Sequence, residues 1–145
     1  MALYGVSLLE TQDYISTHDS NKTESDGATV FVLGTLDLVT RFRLMDSAFD
    51  MTQGDGPARI NINRNMVNME AVRFGLRGWR NFRNKDGEKE LPFSTETDTV
   101  GGKPYVVVSK ECMNAIPTNI ILELGQKIMD LNAVDAGFAG NSPQA

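Results

Sequence analysis

Arg73, Arg77 and Arg80 recur at i, i+4 and i+7, with Arg64, Arg83 and Lys85 close by. A guanidinium pairs with carboxylate or phosphate in bidentate geometry, so arginines at helical spacing make a surface for an anion or an acidic partner. They are the basic concentration in an acidic chain. Lys and Arg number 14 against 19 Asp and Glu, which leaves a net charge of -5 over 145 residues. The other reading is a solvated helix face, which a 3.6-residue period produces by default. Nucleic acid is disfavoured as the partner: the acidic chain repels phosphate, and stacking aromatics are not interleaved with the arginines. Trp79 and Phe82 lie in the same stretch and are of the type that anchors interfaces; the alternative for both is the core.

The remaining chemistry-bearing residues are sparse. There is one histidine, His18, beside Asp19 in a polar loop, and one cysteine, Cys112. A catalytic dyad needs a nucleophile and a defined pocket, and Ser16 and Ser20 are near His18 only in sequence. A lone cysteine permits no intramolecular disulfide and no cysteine-based zinc site; a buried, inert thiol in a reducing compartment is expected. Gly101-Gly102-Lys103-Pro104 lacks the remainder of a phosphate-loop pattern. The carboxylates Glu24, Asp26, Asp37, Asp46, Asp50 and Asp55 are scattered and do not form a calcium loop. These residues predict a protein that is not an enzyme, with no cofactor and no metal.

The elements that must position these side chains can be read in chain order. Residues 6–16 resemble a short amphipathic helix, with Leu8, Leu9, Tyr14 and Ile15 as its apolar members. A polar loop over 18–27 leads to a buried strand, 28–34. Thr35 or Asp37 can cap a helix reaching about Phe49, with Leu38, Phe42 and Met45 on one face. Gly54-Asp55-Gly56-Pro57 is a break. Residues 58–63 suggest a strand in which Ile60 and Ile62 alternate. A helix is predicted over 66–82, because Met69, Val72, Leu76 and Trp79 recur at spacings of 3, 4 and 3. Its Gly75 and Gly78 would allow close packing. After a turn at 84–87, a hairpin lies near residues 90–108, with strands over 90–93 and 105–108 and Gly101-Gly102 between them. Ser109 caps a short helix to Ile116, Pro117 interrupts it, and a last helix runs from Thr118 to about Asn132, striped by Ile121, Leu124, Ile128 and Leu131.

The sum is an α+β fold: a small single domain, 1–132, of several amphipathic helices with short strands, and a flexible tail, 133–145. No uncharged apolar stretch approaches the ~18 residues that crossing a membrane takes. Residues 1–10 lack a basic start and a small-residue cleavage site, so no secretory signal is expected.

The stretch 72–87 holds an apolar helix, the Gly78-Trp79 pair and the Asp86-Gly87 turn, and is followed by Pro92-Phe93. It resembles the core of tailed-bacteriophage tail assembly chaperones. The step Ile116-Pro117, the closing helix over 120–132 and the run 29–37 after an Asp-containing loop are similar as well. The resemblance spans most of residues 6–132. It implies a non-catalytic protein that binds a tail-tube or tape-measure subunit before assembly, holds its assembly surfaces apart, and leaves. The partners implied are phage structural proteins, portal or capsid subunits among them, with self-association also open. The place implied is the host cytoplasm during assembly, or the virion. The hairpin inserted over 97–108 departs from the simplest chaperone pattern. It keeps open a permanent virion protein: a head–tail adaptor, a tail component or a capsid cement protein.

Overall fold

The computed structural model describes residues 2–51 and 57–134, with the backbone path alone for 48–51 and 57–63. It is an α+β domain of two antiparallel sheets and four α-helices. The first sheet has the order β1-β2-β3, from Thr11–Tyr14, Val30–Gly34 and Leu76–Arg80. Between β2 and β3 run α1 (Leu38–Met51) and α2 (Pro57–Gly75). The second sheet is the hairpin of β4 (Thr95–Val100) and β5 (Lys103–Val108), followed by α3 (Lys110–Ala115) and α4 (Thr118–Leu131).

β2 is central and apolar on both faces, which is why its run reads as continuous rather than alternating. Phe31 and Leu33 of β2 share one core with Val72 of α2, Trp79 of β3, Val107 and Val108 of β5, and Leu124 and Ile128 of α4. The main helix contact is α2 on α4. Two glycines let it close. A Cβ at Gly125 would lie 2.5 Å from the Asn68 carbonyl oxygen, and one at Gly75 would lie 2.6 Å from Ile128 Cγ2. Asn132 fastens the end of α4 to the chain leaving β2. Its Oδ1 accepts from the Leu36 N–H at 2.8 Å, and its Nδ2 donates to the carbonyls of Gly34 and Ile128.

Local signals place several boundaries where the sequence does. Asp37 Oδ1 accepts from the Thr40 N–H at 2.9 Å and starts α1. Ser109 caps α3 through the Cys112 N–H, and α4 begins directly after Pro117. Gly101 and Gly102 have φ of +60° and +80°, so the hairpin turns on two residues in the left-handed region.

Other expectations are corrected. Residues 6–16 hold β1 rather than a helix, because residues 11–14 pair with β2 from Thr11↔Gly34 to Tyr14↔Phe31. Leu8 and Leu9 precede that strand and are exposed. Of the α1 face expected from Leu38, Phe42 and Met45, Leu38 and Phe42 point outward (54% and 55% exposed) while Met45 packs half-buried against the core; among the described residues of α1, Thr40 and Leu44 are buried. Residues 58–63 are the start of α2 rather than a strand, with Pro57 at the first helical position, where its missing N–H costs nothing. The first hairpin strand is 95–100, not 90–93, where a single bridge joins Arg83 to Glu90. Leu131, placed on the buried stripe of α4, is 40% exposed. Val134 is fully buried, so the core extends past residue 132. The break at 54–56 and the tail over 135–145 lie outside the described residues.

The largest correction concerns the helix expected over 66–82, which ends at Gly75. The chain enters β3 at once, and β3 carries a β-bulge. Val32 pairs with Gly78 and Leu33 with Leu76, so Arg77 is the extra residue. In a regular strand, residues three apart face opposite sides. The bulge restores Leu76 and Trp79 to one side, and both are buried. The spacing of 3 that reads as helical is produced by the bulge.

Candidate functional site

The arginines expected on one helix face are divided between two elements: Arg73 on α2, and Arg77 and Arg80 on β3. Each has its own surroundings. Arg73 reaches across to the hairpin, with Nη1 2.8 Å from Asp98 Oδ2 and Nη2 3.4 Å from Glu96 Oε2. Arg80 bridges Asp13 of β1 and Glu24, both at 2.7 Å, and its hydrogen bonds hold the Glu24 carboxyl below its ordinary value. Arg77 lies over Gly34 and donates to the carbonyls of Phe74 (2.5 Å) and Thr35 (2.8 Å). The stripe is therefore not assembled. Arg73 and Arg80 are ties between elements of this chain.

Trp79 belongs to the core at 8% exposure, and Phe82 packs half-buried against it. The two rings meet edge to face with centroids 4.7 Å apart, and Phe93 meets Trp79 at 5.0 Å. The indole N–H donates to the Leu91 carbonyl at 2.8 Å, which anchors the loop after β3. Cys112 is buried, with Sγ near the Pro92 carbonyl and the Ser94 N–H. The burial expected of this residue is observed.

A different set of residues comes together on the surface. Met66 and Met69 of α2, Met113 of α3, Ile116, and Ile121 of α4 line a groove of about 350 Å³, with Asn65, Asn114 and Thr118 among its polar members. Among the described residues, none that lines it is charged. Met66 is 53% exposed on the rim, and Met113 and Ile121 pack against the core from below. The i, i+3 spacing puts Met66 and Met69 on one helix face. Methionine is unbranched and polarizable, so such a lining re-forms around apolar side chains of differing shape. The sequence signal for this groove is that methionine pair. Met113 is brought to it by the packing of α3 and α4, which spacing does not reveal.

Glu123 of α4 accepts more hydrogen bonds than any other carboxylate among the described residues. It accepts from the hydroxyls of Tyr14, Ser16 and Thr17 and from the Thr17 N–H. Burial favours its neutral form, but these donors outweigh burial and hold the carboxyl at about 2. Its role is to fasten the segment after β1 to α4. Among the described residues, no group of three or more His, Cys, Asp or Glu is placed to hold a metal ion, and no helix is long and apolar enough to cross a membrane.

No family model matches the chain, and no curated protein or solved structure shows significant similarity to it.

Proposed function

We propose that the chain is a bacteriophage morphogenesis protein, a tail assembly chaperone that acts by contact with other protein chains in the host cytoplasm. The observation that carries this reading is the methionine-lined groove between α2, α3 and α4. A transient binder must cover an apolar segment without fitting it so closely that release becomes slow. Flexible methionines on a firm α2–α4 base meet that need. The partner's apolar segment lies against Met66, Met69 and Met113 and stays hidden until assembly. The resemblance of residues 72–96 to tail assembly chaperones supplies the partner class, a tail-tube or tape-measure subunit. Of the arginines, Arg73 contributes indirectly, by tying α2, which frames the groove, to the hairpin.

The second reading is a permanent virion component. The β4–β5 hairpin favours it, because the simplest chaperone pattern has no such insertion.

Two measurements together test the proposal. The tagged chain is co-expressed with the tail-tube or tape-measure subunit of the same phage, and purified particles are inventoried by mass spectrometry. The chaperone reading expects recovery of that subunit with the wild-type chain, weakened at least about tenfold by Met66→Glu, and absence of the chain from mature particles. Presence in the particle at fixed stoichiometry would establish the second reading instead.

A further inference from the structure

A second groove, of about 240 Å³, lies between the start of α1, the bulge of β3 and strand β5. Its apolar lining includes Leu8, Leu36, Phe74, Pro104 and Val106, and Val106 is 69% exposed. Arg77 lines it as well. Three features define its place. It is the extra residue of the bulge, a device that re-aims a side chain out of the ladder. Its path depends on Gly34, since a Cβ there would lie 2.5 Å from Arg77 Nε. And among the described residues it forms no ion pair, as Arg41 and Arg83 also do not, but of these Arg77 is the one that lines the groove.

The other charges around the groove do not compensate it. Asp37 Oδ2 accepts from Tyr105 Oη at 2.9 Å and from Lys103 Nζ at 3.3 Å, while its Oδ1 is taken by the Thr40 N–H. Lys103 offsets the charge of Asp37, so the groove keeps one positive charge, that of Arg77, in a chain of net charge -5. The Phe74 and Thr35 carbonyls fix the guanidinium and leave its other N–H groups for an acceptor. A free anion would use the charge and leave the apolar lining bare. A carboxylate flanked by apolar side chains uses both.

We propose that this groove docks an acidic, apolar segment of a partner protein, with Arg77 receiving its carboxylate and Val106 and Leu8 covering its apolar neighbours. The proposal goes beyond the methionine groove and does not depend on it.

The test is fluorescence anisotropy on the full chain with three labelled peptides: one of leucines and glutamates, the same peptide with glutamine at each glutamate, and the same with lysine. The glutamate peptide is expected to bind at least about tenfold more tightly than the glutamine peptide, and the lysine peptide least. Added salt should weaken the first and spare the second. Arg77→Gln should reduce the glutamate peptide to the level of the glutamine one. So should Val106→Glu, an exposed position where folding is not at stake. Arg80→Gln and Met66→Glu should leave it unchanged, which separates this groove from the methionine one. Equal affinities for the glutamate and glutamine peptides, or no binding by any of them, would overturn the proposal. So would competition by inorganic phosphate that Val106→Glu does not alter, since that marks a plain anion site.

Discussion

Glu123 shows how much one carboxylate can organise. Tyr14, Ser16 and Thr17 lie more than a hundred residues before it, and their hydroxyls, with the Thr17 N–H, converge on its two oxygens. Burial, together with the same contact, pushes the Tyr14 hydroxyl up to about 12. The Glu123 carboxyl falls from an ordinary 4.5 to about 2 in the folded chain. Asp37 falls from 3.8 to about 2, where burial is outweighed by donors from Thr40, Tyr105 and Lys103. A carboxyl depressed by folding binds its proton more readily in the unfolded chain, so its stabilisation is complete above the unfolded value and is lost as pH falls. Urea unfolding should therefore show stability declining between about pH 4.5 and pH 2. Glu123→Gln should lower stability at pH 7 and flatten that decline, leaving the share due to Asp37. A wild-type stability that is level across the interval would mean that these carboxylates are not held as described.

At the scale of elements, the crossing of α2 and α4 rests on the absence of side-chain atoms. Gly125 faces the backbone of Asn68, with no flexible side chain between to yield. Gly125→Ala should force the helices apart and cost about 1–3 kcal/mol, as overpacking does. Gly78 in β3 has nothing within 4 Å of its Cβ position, so Gly78→Ala should be neutral or stabilise by up to about 1 kcal/mol through the unfolded chain. Chemical denaturation of the two variants checks both values. The contrast also explains what the sequence discloses. Caps and turns are legible because their partners are local: Asp37 with Thr40, Ser109 with Cys112, and Gly101-Gly102 with themselves. β3 is not, because a bulge gives its buried residues a helical spacing. The arginines are legible as residue types, yet the carboxylates that engage Arg73 and Arg80 lie 23 to 67 residues away in the chain. Their fate is settled by topology, and no pattern within 73–80 encodes it. Met113 meets Met66 for the same kind of reason, through the docking of α3 and α4 on α2.

At the scale of the molecule, α2 is the shared frame. It carries Met66 and Met69 of one groove and Phe74 of the other, and it packs on α4, α1 and β5. Both sheets send side chains into a single apolar cluster. The hairpin is further held by Arg73 on Asp98, and by the Tyr105 ring, edge-on to Phe74 with centroids 5.5 Å apart. With one core among the described residues, and no separate one among them under the hairpin, the domain should unfold as a unit. The single tryptophan makes this easy to see. Trp79 is buried edge-on against Phe31, Phe82 and Phe93 beside the first sheet, so its emission should shift to the red when that region opens. Far-ultraviolet ellipticity follows the helices instead. The two urea transitions should share one midpoint in the wild-type chain. Arg73→Gln, which releases the hairpin carboxylates beside α2, should lower that midpoint for both probes together. If ellipticity is lost at a lower urea concentration than the tryptophan shift, the helices and the β1-β2-β3 sheet are separate units. The two grooves would then lack the common frame that lets one molecule hold a partner at both.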